Sequence, residues 1–121
     1  MGIAIAKRGL GLVYGGGGIG LMRELADGFL ALPGGYGTLE EFCEVLTWGQ
    51  LGLHRKPCGL LNVEGYFDRL LAQLDHFVAE GFLSRTNRTL VLTEAEPDGL
   101  LDAMMSYQSP VRERWIEKEE T

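Results

Sequence analysis

Short apolar runs alternate along this chain with longer segments whose apolar residues recur every three or four positions. The runs at 10–14, 29–32, 58–63 and 89–93 have the length and composition of buried strands. The spaced segments predict helices, most plainly over 66–82, where Phe67, Leu70, Leu71, Leu74, Phe77 and Val78 follow a helical period. A second helix is predicted over 38–51, with Phe42, Val45, Leu46 and Gly49 on one face. Another covers 20–27, and a last one starts at Glu96-Pro97-Asp98, proline in its first turn, and ends near Ser109 because Pro110 interrupts it. Residues 2–8 read as the end of a helix, with Lys7 and Arg8 at its negative end and Gly9 as the stop. Strands alternating with helices predict an α/β fold: one domain over 1–121, with a parallel sheet and helices on both faces. Ligands on such sheets bind beyond the carboxyl ends of the strands.

Both glycine-rich stretches fall at such ends. The first is Gly15-Gly16-Gly17-Gly18-Ile19-Gly20. The second interrupts Leu30-Ala31-Leu32-Pro33-Gly34-Gly35-Tyr36-Gly37-Thr38-Leu39-Glu40-Glu41, which reads as strand, tight loop and helix start. Gly34, Gly35 and Gly37 are free to take positive φ and let the backbone approach a ligand closely. The unpaired N–H groups of a helix start suit a phosphate. Thr38-x-x-Glu41 has the spacing of a capping box, which gives Glu41 a purely structural role, and Glu40 could serve only as a favourable charge at the positive helix end. Spacing alone favours those readings for both glutamates. Yet carboxylates would repel an anion held beside them, so the pair suggests chemistry on a nucleotide rather than storage of one.

Gly15-x-Gly17-x-x-Gly20 formally matches the dinucleotide fingerprint, but four consecutive glycines satisfy many patterns. The second strand ends in Leu32-Pro33, without the acidic residue that would hold a ribose, which argues against NAD. No Gly-Lys-Ser/Thr follows either loop, which excludes a P-loop. Close helix–strand packing would also explain the first loop, although contact with phosphate or sugar better accounts for so many glycines.

Composition narrows the partners. Glycine makes up 18 of 121 residues, about twice the usual ~7%. A net charge of −6 argues against nucleic acid, so any phosphate must be held by local donors. Cys43 and Cys58 read as small core residues whose spacing fits neither a zinc site nor a disulfide framework. His54 reads as a surface turn residue and His76 as a helix-surface one, with no pattern for metal binding or nucleophilic catalysis. Trp48 reads as core or interface. No metal or cofactor is implied. No apolar run reaches membrane-spanning length and no signal peptide is apparent, so the expected location is the cytoplasm.

Pro33-Gly34-Gly35-Tyr36-Gly37-Thr38-Leu39-Glu40-Glu41 resembles the Pro-Gly-Gly-x-Gly-Thr-x-x-Glu signature of the Lonely Guy family of cytokinin riboside 5′-monophosphate phosphoribohydrolases, often labelled lysine decarboxylases. Leu12-Val13-Tyr14-Gly15-Gly16-Gly17 with Gly20-Leu21-Met22 is similar to its other glycine motif, and Leu46-Thr47-Trp48-Gly49-Gln50-Leu51-Gly52 to its continuation. The resemblance implies a Rossmann-like homodimer. It would hydrolyse the N-glycosidic bond of AMP or a cytokinin riboside monophosphate to free base and ribose 5-phosphate. It implies Glu41 as the catalytic carboxylate, reversing the spacing-only reading. It implies Gly34, Gly35, Tyr36, Gly37, Thr38, Leu39 and Glu40 as substrate-binding residues; Gly16 and Gly17 join them through the first glycine loop's reading as a phosphate or sugar contact, and Thr47, two helical turns beyond Glu40, either lines the same face or just packs. The chain departs from the family in lacking its first strand and loop, and a segment near 22–23 that carries an Arg-Lys pair. Arg23 falls too late in the pattern to be that arginine. A non-catalytic nucleotide- or cofactor-binding module of the same fold is the alternative these departures leave open.

Overall fold

The computed structural model describes residues 3–4 and 27–111. Their sheet has the order β1-β2-β3-β4, with β1 Ile3–Ala4, β2 Phe29–Ala31, β3 Cys58–Leu61 and β4 Val91–Glu94. β2, β3 and β4 are parallel, in the register Phe29↔Cys58↔Val91. Helix α1 (Tyr36–Gln50) joins β2 to β3, and α2 (Asp68–Ala79) with the single-turn α3 (Arg85–Arg88) joins β3 to β4. Helix α4 (Pro97–Met105) follows.

β2 and β3 are buried throughout, so they read as continuous apolar runs, as strands covered on both faces do. Their side chains part by alternation. Phe29, Ala31, Cys58 and Leu60 meet Phe42 and Val45 of α1 and Phe67 on one face. Leu30 and Leu61 meet Leu100 and Met104 of α4 on the other. Helices therefore cover both faces, as the alternation predicts. Gly59 lets α4 lie close: a Cβ there would stand 2.8 Å from Leu100 Cδ1.

Several expectations change. Ile3 and Ala4 belong to a strand, not a helix end. They pair antiparallel with Ala31 and Leu30, which makes the sheet mixed. The free edge of β2 needs backbone partners, and that demand outweighs the local helix signal. The rest of 2–8, the strand at 10–14, the first glycine loop and the segment near 22–23 lie outside the described residues. Helix α1 begins two residues before the predicted start. Its N-cap is Gly35, with no side-chain cap, so Thr38 is the third helical residue and the capping box does not form. Helix α2 is shorter than 66–82: it starts at Asp68, after a left-handed turn at Glu64 (φ 49°) and Gly65 (φ 74°), and ends at Ala79, just before left-handed Gly81 (φ 84°). Helix α3 is capped by Ser84, whose hydroxyl accepts from the Asn87 N–H at 3.0 Å. Helix α4 stops at Met105, where the Ser106 hydroxyl donates to the Asp102 carbonyl at 3.0 Å, well before Pro110.

Three side chains also sit differently. His54 is half-buried rather than a surface turn residue, its ring edge-on to Phe29 at 5.6 Å. Cys43 is exposed, not core, while Cys58 is buried as expected. His76 is exposed. Among the described residues, no helix is long and apolar enough to cross a membrane.

Candidate active site

The parallel strands β2 and β3 lie side by side, so the loops leaving their carboxyl ends are neighbours. The β2 loop carries Gly34 and Gly35 into α1. The β3 loop carries Asn62 to Phe67 into α2. Between them lies a cleft of about 390 Å³, lined by Gly34, Gly35, Tyr36, Thr38, Leu39, Tyr66, Phe67 and Leu70.

With Gly35 as N-cap, the amides of Gly35, Tyr36, Gly37 and Thr38 are the four that a helix start leaves without intrahelical acceptors. The Leu39 N–H is spent on the Gly35 carbonyl at 3.1 Å, so it is no longer a candidate phosphate donor. The central glycines do not serve a left-handed turn: Gly35 has φ −115°, and Gly37 is helical. A Cβ on either would meet no described residue within 4 Å. Protein packing therefore does not demand glycine at 35 or 37. Open space beside free amides is what a close-approaching ligand requires.

Thr38 is the informative side chain. Only 4% exposed, it is the buried polar residue among the described core positions. Its hydroxyl has no hydrogen-bond partner among the described residues, although buried polar groups are nearly always paired. The resemblance pointed to Thr38, but its spacing suggested only a cap.

The structure brings Gly34, Gly35, Tyr36, Thr38 and Leu39 to one cleft, with Tyr36 98% exposed at its rim. Gly37 and Glu41 are one turn apart on another side of α1, which also carries Glu44 and Trp48 at helical spacing. Glu41 is half-buried there and Glu40 is exposed. Thr47 does not join the glycine cleft. Its hydroxyl donates to the Cys43 carbonyl at 2.8 Å, and it lines a second groove with Leu46, Leu74 and Phe77. Gly16 and Gly17 lie outside the described residues. Tyr66 and Phe67 are site residues that the sequence reading treated only as helix. The signal for them was Asn62 and Gly65 between a strand and a helix, a loop composition at a strand's carboxyl end. Among the described residues, no three His, Cys, Asp or Glu side chains gather as metal ligands.

A family described as "Possible lysine decarboxylase" matches residues 19–104. A probable cytokinin riboside 5′-monophosphate phosphoribohydrolase of Oryza sativa subsp. japonica is 50% identical over 86 residues, 71% of this chain and 41% of its own length. A cytokinin riboside 5′-monophosphate phosphoribohydrolase of Arabidopsis thaliana is 50% identical over 93 residues, 77% of this chain and 43% of its own. The chain belongs to the Lonely Guy family. It spans less than half the length of these two relatives. A further probable cytokinin riboside 5′-monophosphate phosphoribohydrolase of Oryza sativa subsp. japonica is 37% identical over 158 residues, covering 91% of this chain and 64% of its own length. Since 91% of 121 residues is about 110, about 48 of those 158 positions have no counterpart here. This Lonely Guy chain is therefore short internally relative to that protein.

Proposed function

We propose that this protein is a phosphoribohydrolase acting as a cytoplasmic homodimer. It cleaves the N-glycosidic bond of an adenine-type nucleoside 5′-monophosphate, AMP or a cytokinin riboside monophosphate. Water is added across the bond: the sugar carbon takes the hydroxyl, the departing base takes the proton, and ribose 5-phosphate is left. The observation that carries this is the buried Thr38 hydroxyl, without a hydrogen-bond partner among the described residues, beside the Gly35 to Thr38 amides that the helix start leaves without intrahelical acceptors. Together they offer a phosphate several donors without a cation, which suits a chain of net charge −6. The names of the two relatives about 50% identical to this chain supply the reaction.

Glu41 is assigned the chemistry. Glycoside cleavage passes through an oxocarbenium-like state, which a carboxylate stabilises while orienting water. Half-buried one turn beyond Gly37, Glu41 is held on a rigid helix rather than a loop. The homodimer reading is supported by exposed apolar side chains: Trp48, Phe77 and Phe82 remain open to solvent.

A second reading is a nucleotide-binding module without hydrolysis. It is favoured by the place of Glu41, which is not among the residues lining the glycine cleft. Incubation with AMP and with isopentenyladenosine monophosphate, followed by chromatography for free base, separates the two. Release of base that Glu41→Ala abolishes supports the hydrolase. Tight nucleotide binding with no base released decides for the module.

A further inference from the structure

The Gly34–Gly35 peptide joins two residues without a Cβ, immediately before the free amides of α1. Such a peptide rotates easily, because neither flanking residue restricts it sterically. Its orientation matters, because the Gly34 carbonyl and the Gly35 N–H belong to one planar trans unit and point in opposite directions. Whatever fixes the carbonyl fixes the amide.

That carbonyl is held. The Tyr66 hydroxyl donates to it at 2.5 Å, from a residue 32 positions away in the chain. Tyr66 is 55% exposed, so deep burial does not place it. A built loop does. Asn62 donates from Nδ2 to Asp68 Oδ1 at 2.8 Å, and its Oδ1 accepts the Phe67 N–H at 2.7 Å. The Asn62 N–H in turn donates to the Glu94 carbonyl at 2.9 Å, tying the loop to the end of β4. Between these anchors the chain reverses through two left-handed residues, Glu64 and Gly65. The second, at φ 74°, is where a side chain would be strained and glycine is not, and a Cβ there would also fall 2.6 Å from Asp68 Oδ2. Glu64 has no such exemption, and a non-glycine residue in this region carries about 1 kcal/mol of strain or more. The buried Phe67 ring then meets the Tyr66 ring edge-on at 5.1 Å, which sets the direction of the hydroxyl.

We propose that Tyr66 is a positioning residue: its hydroxyl locks the Gly34–Gly35 peptide so that the Gly35 N–H faces the anion site at the start of α1. This rests on the proposed phosphate site and adds to it the group that preorganises one of its donors. The proton of the Tyr66 hydroxyl is spent on the Gly34 carbonyl. It acts through the peptide plane, so it governs affinity for the phosphate and not the chemical step. Without the hydroxyl the peptide samples both orientations, and binding has to select one of them.

The test is Tyr66→Phe in the full chain, which deletes only the hydroxyl. Inorganic phosphate, AMP and adenosine are titrated calorimetrically against native and variant protein, with KM and kcat measured on AMP and stability in urea. The dissociation constants for phosphate and AMP should rise about fivefold to tenfold, as for loss of one aligned donor. KM should follow, with kcat within about twofold and adenosine affinity and the urea midpoint unchanged. Asn62→Ala keeps the hydroxyl and loosens its loop, so it should give a smaller rise in the same constants. It carries the test should Tyr66→Phe lose its fold. Unchanged phosphate affinity in both variants overturns the proposal, as does a fall in kcat without a rise in KM. Native protein that binds AMP but releases no base defeats the hydrolase reading alone, since the affinity comparison still stands. Native protein that binds neither phosphate nor AMP overturns both.

Discussion

The His54 imidazole donates from Nε2 to the Val45 backbone carbonyl at 2.7 Å, tying the segment after α1 back onto the helix. The tautomer follows from the other nitrogen, since Nδ1 accepts the Lys56 N–H at 3.0 Å and so carries no proton. Gly49 makes room for this, because a Cβ there would come within 3.3 Å of the ring. His54→Ala removes both bonds and the edge contact with Phe29. It should destabilise the protein by about 2–3 kcal/mol, read as a lowered urea midpoint at unchanged slope.

Gly37→Ala should separate stability from function. The position is helical and a Cβ there meets no described residue, so folding should gain about 0.5–1 kcal/mol. The same methyl would stand where a ligand approaches the helix start. Affinity for AMP should fall at least about tenfold, measured by calorimetry beside a urea titration. Equal affinity in native and variant protein would remove the ligand explanation for this glycine.

Gly59→Ala should act through packing alone. Its Cβ would fall 2.8 Å from Leu100 Cδ1 and 3.2 Å from Met104 Sδ. Leu100 is fully buried and has no room to turn aside, so α4 must shift outward. A loss of about 1–3 kcal/mol is expected in urea titrations.

The two thiols should differ in reactivity and in their effect on stability. Burial pushes the Cys58 thiol from its usual 9.0 up to about 12. Between those values the folded chain keeps this proton and the unfolded chain loses it. The unfolded state therefore binds fewer protons, and stability falls as pH rises from 9 towards 12. Below pH 9 this contribution is fully present. The fall should reach on the order of 4 kcal/mol at the top of the window. Cys58→Ala should lack that part of the slope in urea titrations compared across the same pH range. Under native conditions a thiol reagent should label the exposed Cys43, slowed by partial desolvation that raises its thiol too, and reach Cys58 only on unfolding.

Legible in the sequence were the three parallel strands, the three longer helices that follow them and the place of the central loop; the single turn Arg85–Arg88 was not. Phe29–Ala31, Cys58–Leu61 and Val91–Glu94 are short apolar runs, and Phe42, Val45 and Gly49 form a helical stripe. Such signals are local, because a strand or helix buries a face set by its own repeat. Where the signal depended on a neighbour, sequence was silent or misleading. The edge of β2 recruited Ile3–Ala4 as an antiparallel strand, although 2–8 carries helix-end chemistry. His54 was drawn inward by a helix carbonyl nine residues earlier, and Cys43 was left exposed in a groove it lines with Leu74 and Phe77 of α2. Thr38 looked like a cap until the helix began at Tyr36 and buried it. The contact between Tyr66 and Gly34 joins loops that only the pairing of β2 with β3 brings together. Spacing along a chain encodes which face is apolar. Which polar atoms then meet across 32 residues is decided by the packing of those faces, and the details of the site belong to that second level.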